Sequence, residues 1–349
     1  MPCSTETDVS VQTASATWAD LVEEPLSSVI EARPTLKYLF FGGKGGVGKT
    51  VLAGAAALGL AESGRRVLLV STNPVHSLSG LLDQDVFGRV TPVRGAEGLS
   101  ALEIDTRETI ERSKREIKEK IDWFLKYAEI RTRADAFVES ATMNPAFEES
   151  AMFESMIDVI FRGEYEVYVF DTAPTANARR LLGMSAVYSM WVQKMVQSRE
   201  EARSLRRLLS YSKQEEADPL LDYLLHFRDR IAAAKRLLTD TGLTAFFFVT
   251  LPEALPIAVV RRFISWFQDF GIPIGGVIVN GVIDRAMVPD TAPPFVLNRI
   301  AAQETYREEI GRVFPGMVRA VIPLFETEVR GVPMLQRVAR LLFAPGARP

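Results

Sequence analysis

The chain has 349 residues, of which 47% are hydrophobic, with 41 lysines and arginines against 44 aspartates and glutamates. This composition excludes a largely disordered or fibrous protein, and the formal charge of -3 predicts no general affinity for nucleic acid. With one cysteine, Cys3, and two histidines, a disulfide framework and a cysteine-based metal centre are excluded. The sequence has neither a secretory signal nor the about 20 consecutive apolar residues of a membrane span, so a cytoplasmic protein is expected.

Short apolar runs alternate with helical patterns along the chain. Residues 1–35 are rich in Ser, Thr, Glu and Pro and are predicted to form a flexible leader with a short helix near residues 18–29. Strands are predicted at 37–41, 66–71, 102–105, 166–171, 245–249, 274–279 and 320–322, and helices at 53–61, 106–127, 147–161, 220–239, 254–270 and 329–343. The alternation predicts an α/β fold with a mostly parallel, doubly wound sheet of about seven or eight strands. We expect one domain over residues 36–349, with helical insertions at about 106–162 and 183–240.

A glycine-rich segment follows the first predicted strand and precedes the first predicted helix. It reads Gly-Gly-Lys-Gly-Gly-Val-Gly-Lys-Thr over residues 42–50 and contains the phosphate-loop pattern G-x-x-x-x-G-K-T. Lys49 is predicted to reach the β- and γ-phosphates of ATP or ADP, and the Thr50 hydroxyl to bind Mg²⁺. Backbone N–H groups and the helix N-terminus supply the rest of the anion site. The residues predicted to bind nucleotide here are Gly43, Gly45, Gly46, Val47, Gly48, Lys49 and Thr50.

A second lysine, Lys44, lies inside the same loop. On its own it could be a solvated loop charge. The sequence Lys-Gly-Gly-Val-Gly-Lys-Thr nevertheless resembles the variant loop of dimeric ATPases that include the nitrogenase iron protein and the cell-division and plasmid-partition ATPases. In that class the early lysine contacts phosphate in the partner subunit. The resemblance therefore implies a homodimer and a catalytic contribution from Lys44.

Three further segments narrow the resemblance. They are Ser-Thr-Asn-Pro-Val-His-Ser-Leu at 71–78, Asp-Thr-Ala-Pro-Thr at 171–175 with Arg-Arg-Leu-Leu at 179–182, and Pro-Leu-Phe-Glu-Thr-Glu-Val-Arg-Gly at 323–331. With the phosphate loop they resemble the switch I, switch II and C-terminal motifs of the arsenical-pump and tail-anchored-protein-targeting ATPase family. The resemblance covers residues 37 to 343. It implies a Mg²⁺-dependent ATPase whose nucleotide controls two switch segments.

The resemblance also assigns roles to individual positions. Asp171 matches the acid that holds Mg²⁺ through water, so the implied metal residues are Thr50 and Asp171. Asn280 matches the asparagine that contacts adenine, although an Asn at a strand end is often only a turn former. Pro323 and Leu324 match the loop beside the adenine. Glu328 and Arg330 are given a structural or switch-related role.

Asn73 is the main departure from the family pattern, which has Asp there to position and polarise the attacking water. A neutral amide can orient water but cannot accept its proton, so slow or absent hydrolysis is expected. Either the natural protein carries Asn, or Asp was replaced to trap bound ATP. Switch II has Ala-Asn at 176–177 where the family has Gly-His. With one cysteine in the chain, neither an arsenite thiolate site nor a dimer-bridging zinc site is expected.

Two Met- and aromatic-rich stripes suggest what the switches move. They comprise Met184, Val187, Tyr188, Trp191, Met195 and Val196, and Phe147, Met152, Phe153 and Met156. In the targeting relatives this neighbourhood holds a client's hydrophobic helix, and flexible Met side chains suit varied helices. The alternative is that both stripes pack on the domain core. Three functions stay open: a switch that captures hydrophobic protein segments, the ATPase subunit of an anion or metalloid pump, and a membrane-associated partition-type ATPase.

Overall fold

The computed structural model describes residues 17–72, 77–127, 145–171, 197 and 219–344. Within them, one eight-stranded sheet has the order β3-β4-β2-β5-β1-β6-β7-β8. Every pairing is parallel except the antiparallel pair of β3 and β4 at one edge. The strands are β1 (Tyr38–Gly43), β2 (Val67–Ser71), β3 (Thr91–Pro92), β4 (Leu99–Glu103), β5 (Val167–Asp171), β6 (Thr244–Thr250), β7 (Ile274–Val282) and β8 (Val318–Pro323). The expected mostly parallel α/β fold is confirmed.

Helices cover both faces of the sheet. They are α1 (Leu26–Glu31), α2 (Lys49–Glu62), α3 (Ser77–Leu82), α4 (Thr106–Tyr127), α5 (Pro145–Arg162), α6 (Pro219–Thr239), α7 (Ala254–Asp269), α8 (Pro294–Val313) and α9 (Gly331–Phe343). One hydrophobic cluster joins the sheet to α1, α2, α3 and α9, and a second joins it to α5, α6, α7 and α8. No described helix is long and apolar enough to cross a membrane.

The central strand β1 shows why continuous apolar runs form this sheet. All six of its residues are buried, because alternate side chains enter the two opposite clusters. Leu39 and Phe41 lie in the first cluster, and Tyr38 and Phe40 in the second. The Phe40 ring stacks on Phe246 of β6 with a centroid separation of 4.4 Å. Burial on both faces holds the end of β1 firmly, and the phosphate loop begins there.

The helices α2 and α9 pack closely on the same face of the sheet. A β-carbon added at Gly59 would lie 2.4 Å from Cε2 of Phe343, and one at Gly54 would lie 3.3 Å from Cδ2 of Leu335. Leu335 is fully buried. The small residues on α2 therefore allow α9 to pack closely against the helix that follows the phosphate loop.

Residues 17–35 of the predicted leader are described, and they contain helical turns close to the short helix predicted near residues 18–29. Over residues 17–35 the structure contains a 3-10 turn, Ala19–Leu21, and the helix α1. Leu26 and Val29 are buried in the first cluster, and so is Leu36 just beyond. Their spacing is too short to give a clear periodic signal, while packing against the rest of the fold is enough to order them.

Candidate functional site

The phosphate loop leaves the carboxyl end of β1 and leads directly into α2. Gly43 has φ +147°, and a β-carbon there would lie 2.4 Å from the Val249 carbonyl oxygen on β6. Gly48 has φ +92° and is the N-cap of α2, which begins at Lys49. These two positions need glycine for both conformation and close approach. The loop thus presents its N–H groups and the N-terminus of a 14-residue helix at the sheet edge.

Lys49, Thr50 and Asp171 meet at the start of α2. The Thr50 hydroxyl donates to Oδ2 of Asp171 at 2.7 Å, and the Ser71 hydroxyl donates to the same oxygen at 3.2 Å. Lys49 Nζ donates to the carbonyl oxygen of Lys44 at 3.1 Å, which closes the loop on itself. The structure therefore brings together the ammonium, hydroxyl and carboxylate that the sequence predicted to act together.

Burial sets the electrostatics of this cluster. Asp171 is 1% exposed, and desolvation raises its pKa, while the Thr50 hydroxyl, the Lys49 ammonium and the Ser71 hydroxyl act in the opposite direction. Desolvation also lowers the pKa of Lys49, and the nearby Asp171 charge opposes that effect. Both groups give up hydration that a bound phosphate or cation can replace.

Glu103 is a buried acid of the site region that the sequence did not single out. It ends β4, opposite Ser71 of β2, which in turn is opposite Asp171 of β5. Its carboxylate accepts hydrogen bonds from the backbone N–H groups of Leu78 at 3.1 Å and Ser79 at 3.3 Å, and from the Ser79 hydroxyl at 2.7 Å. Glu103 thus holds the N-terminus of α3, which begins within the switch I motif.

A second group of residues lies at the ends of β7 and β8. The Asn280 amide nitrogen donates to the Val47 carbonyl oxygen at 2.9 Å, which joins β7 to the phosphate loop. The backbone N–H of Leu324 donates to the Val282 carbonyl at 2.8 Å. Leu324 is 63% exposed, and Pro323 ends β8. Of the predicted base-binding residues, Asn280 therefore contacts the phosphate loop, while Pro323 and Leu324 lie at the end of β8, the strand next to β7.

The remaining predicted residues divide into described and undescribed positions. Val47 is buried, Lys44 is half-buried, and Gly45 and Gly46 are exposed on the loop. Asn73, switch II at 172–177 and the stripe at 184–196 lie outside the described residues. Of the other stripe, Met152 and Met156 are buried in the second cluster, which favours the core interpretation for those two.

The fold and the loop define a P-loop nucleotide-binding protein: a parallel sheet, a glycine-rich turn after its central strand, and a Lys-Thr pair facing a strand-end aspartate. A comparison with family models matches residues 36–344 to the anion-transporting ATPase family. The chain belongs to this family, and it is an ATPase.

Curated relatives match nearly the whole chain. "ATPase ASNA1 homolog 1" of Paramecium tetraurelia is 29% identical over 94% of this chain and 98% of its own length. "ATPase GET3" of Chaetomium globosum is 28% identical over 95% and 96%. A protein of Aquifex aeolicus with the provisional name arsenical pump-driving ATPase 2 is 29% identical over 88% and 99%. These matches confirm the resemblance to the arsenical-pump and targeting ATPases.

Proposed function

We propose that the chain is a homodimeric, Mg²⁺-dependent ATP switch that couples nucleotide binding to the capture of a hydrophobic client helix. The observation that carries the nucleotide part is the contact of Thr50 with Asp171 at the N-terminus of α2, with Lys49 beside it. Lys49 neutralises the β- and γ-phosphates, and Lys44 reaches phosphate in the partner subunit. Asn280, Pro323 and Leu324 surround the adenine.

The residues present suit a magnesium ion. Mg²⁺ prefers hard oxygen ligands and keeps several waters, so one hydroxyl and one carboxylate beside a phosphate are an adequate protein contribution. The Thr50 hydroxyl and Asp171 carboxylate are already 2.7 Å apart. Bound Mg²⁺ would neutralise phosphate charge, while Lys49 and the loop N–H groups orient the phosphates.

Hydrolysis in this proposal is slow because Asn73 stands where the family has an acid. An amide can hold a water in place but cannot take up its proton. The protein would then remain longer in its ATP-bound state than a relative with Asp. Slow hydrolysis would lengthen the lifetime of any complex between the ATP-bound protein and its client or partner.

Client capture is supported by the resemblance to the targeting ATPases and by the Met-rich stripe at 184–196. A second function has support of its own: the family is described as anion-transporting, and one relative is named for driving an arsenical pump. In that alternative the ATPase energises a membrane partner that supplies specificity. A cytoplasmic location fits both proposals.

Replacement of the loop lysine tests the nucleotide site. Lys49→Ala removes the charge that faces the phosphates, so we expect Mg²⁺·ATP affinity to fall about tenfold or more. Titration calorimetry measures this, with exposed Lys235→Ala on α6 as the control. Unchanged affinity in Lys49→Ala would refute the assigned site.

The two candidate functions differ in what stimulates or binds the protein. For client capture, a labelled apolar helical peptide should be retained with Mg²⁺·ATP and released with Mg²⁺·ADP. For the pump alternative, a transported oxyanion should raise phosphate release only when the membrane partner is present, without affecting peptide retention. Equal peptide binding with Mg²⁺·ATP and with Mg²⁺·ADP would rule out a nucleotide-controlled switch.

A further inference from the structure

Asn280 is engaged with the phosphate loop in addition to its place beside the base site. Its Nδ2 donates to the Val47 carbonyl oxygen, two residues before α2 begins. A β-carbon added at Gly48 would lie 2.3 Å from the same nitrogen. The amide therefore packs directly on the turn that shapes the anion site, although 233 residues separate it from Val47 in sequence.

We propose that Asn280 is a positioning residue for the phosphate loop as well as the base-reading residue, and that its single amide couples the two roles. This inference rests on the proposed function, because it assumes that Asn280 binds the adenine base. Its new content is that the base-reading side chain also supports phosphate binding.

The hydrogen-bonding capacity of one amide is sufficient for both roles. The nitrogen carries two hydrogens and the oxygen has two lone pairs. Val47 uses one hydrogen, which leaves the second hydrogen and the oxygen Oδ1 for a base. Adenine offers a 6-amino donor and a neighbouring ring-nitrogen acceptor, which match those two groups.

The Val47 carbonyl also fixes which end of the amide faces the loop. A carbonyl can only accept, so the nitrogen must face it and Oδ1 must point elsewhere. A purine with a 6-keto group presents an acceptor oxygen where adenine has its 6-amino donor. With the amide orientation set by Val47, that oxygen faces Oδ1, so one hydrogen bond is lost and two acceptors are brought together. The phosphate loop thereby contributes to selection of a 6-amino purine.

Gln303 of α8 fixes the backbone just beyond Asn280. Its side-chain oxygen accepts from the Ile283 N–H at 2.8 Å, and its amide nitrogen donates to the Gly281 carbonyl at 3.0 Å. Gln303 is only 5% exposed, so both bonds are shielded from water. Helix α8 consequently holds the backbone that follows Asn280, and the phosphate loop holds the Asn280 side chain.

The coupling has a defined direction. When Oδ1 accepts a hydrogen bond from the base, the amide becomes more polarised and its N–H donates more strongly to Val47. Base occupancy therefore favours the loop conformation that binds phosphate. By linkage, phosphate binding favours base binding to the same extent.

Tripolyphosphate provides the test, because it carries the phosphates of ATP without a base. We expect Asn280→Ala to lower the affinity for Mg²⁺·tripolyphosphate about fivefold, the value of one neutral hydrogen bond, and to lower ATP affinity further. Exposed Asn298→Ala on α8 is the matched control and should leave both affinities unchanged. Weakened ATP binding with unchanged tripolyphosphate binding would show that Asn280 reads the base alone and would overturn the proposal.

Two further measurements extend the test, and the second uses only the wild type, so it remains informative if the variant folds poorly. In the unliganded protein, amide hydrogen exchange over residues 43–50 should be faster in Asn280→Ala than in the wild type. Equal exchange rates in the two proteins would overturn the proposal that Asn280 supports the phosphate loop. In the wild type, inosine triphosphate should bind roughly tenfold or more weakly than ATP. Equal affinity overturns the orientation set by Val47. A wild type that binds neither ATP nor tripolyphosphate would instead refute the proposed function itself.

Discussion

Asp171 is an acid held almost wholly out of water at the end of β5. Two hydroxyls donate to one of its oxygens, and desolvation still raises its pKa. The charged form is therefore less favourable in the folded protein than in the unfolded chain. A bound cation would reverse this balance, which is the physical reason to keep such an acid beside a phosphate loop.

The first prediction concerns the pH dependence that follows from this raised pKa. Burial raises the pKa of Asp171 above its ordinary value of 3.8, so the folded state binds this proton more tightly than the unfolded chain does. The stability that Asp171 contributes therefore falls as pH rises through the window above 3.8. Asp171→Asn should abolish this slope, so its melting temperature should exceed that of the wild type increasingly from acid to neutral pH. It should also abolish Mg²⁺-dependent hydrolysis.

Thermal unfolding of the ligand-free proteins across that pH range measures the effect. Exposed Asp269→Asn on α7 serves as the control, and it should run parallel to the wild type. If the Asp171 variant were also parallel at every pH, the buried acid would not be the source of the slope.

The second prediction concerns Asn73, which lies outside the described residues. Asn73→Asp supplies a group that can polarise the attacking water, and a general base typically contributes 10²- to 10⁴-fold, so turnover should rise by at least roughly tenfold. ATP affinity should change little, because the family resemblance assigns this position to the attacking water and not to the phosphates. Steady-state phosphate release measures the effect, and equal rates for the two forms would contradict our interpretation of switch I.

At the scale of elements, α3 is held at both ends. Glu103 binds its N-terminus, and Arg330, from the C-terminal motif, pairs with Asp83 just after its last residue at 2.6 Å. The Arg330 pair is exposed and contributes little stability by itself. The buried Glu103 contacts contribute more, because without them two backbone N–H groups would lose their partner.

Replacement of Glu103 gives the third prediction. Glu103→Ala should lower the free energy of unfolding by about 1–3 kcal/mol. It should also reduce kcat more than ATP affinity, because α3 begins within the switch I motif. Glu103→Gln retains an acceptor oxygen and should recover part of both losses. Urea unfolding and steady-state kinetics measure them, with exposed Glu97→Ala as the control. Loss of ATP affinity with unchanged kcat would argue against a link to switch I.

Local signals predicted most elements of this fold, and long-range contacts explain the rest. The buried strands and the phosphate loop each have a continuous sequence pattern. The short α3 depends on Glu103, which is 25 residues from Leu78. The helix α8 was not predicted, since only Ile300, Gln303 and Ile310 are buried along its 20 residues. The roles of Glu103 and Gln303 likewise appear only when strand ends and helices meet in space.

At the scale of the whole molecule, β1 divides the candidate site into two halves. The strands β5 and β2, with Asp171 and Ser71, lie on one side, and β6, β7 and β8, with Asn280 and Leu324, lie on the other. The phosphate loop connects both halves. A nucleotide spanning the loop would therefore contact the ends of most strands in the sheet.

The fourth prediction belongs to this scale and concerns the assembly of two chains. No described residue accepts a hydrogen bond from the Lys44 ammonium, and its backbone carbonyl is bound by Lys49. If Lys44 reaches the partner's phosphate, Mg²⁺·ATP should shift the wild type toward dimers, and Lys44→Ala should weaken that shift at least several-fold while ATP binding persists. Sedimentation velocity with exposed Lys235→Ala as control measures this. Monomers throughout, with ATP present, would exclude the dimer.

The close packing of α9 on α2 has a consequence for biosynthesis. The helix under the phosphate loop is made early, but Leu335, Val338 and Leu342, which complete its apolar environment, are translated after every strand of the sheet. At about 5–20 residues per second, a ribosome needs roughly 15 seconds or more to travel from Lys49 to Phe343. A nascent chain therefore exposes its phosphate loop for that time on an incomplete core. Chains that are stalled before α9 emerges should therefore be targets for chaperones.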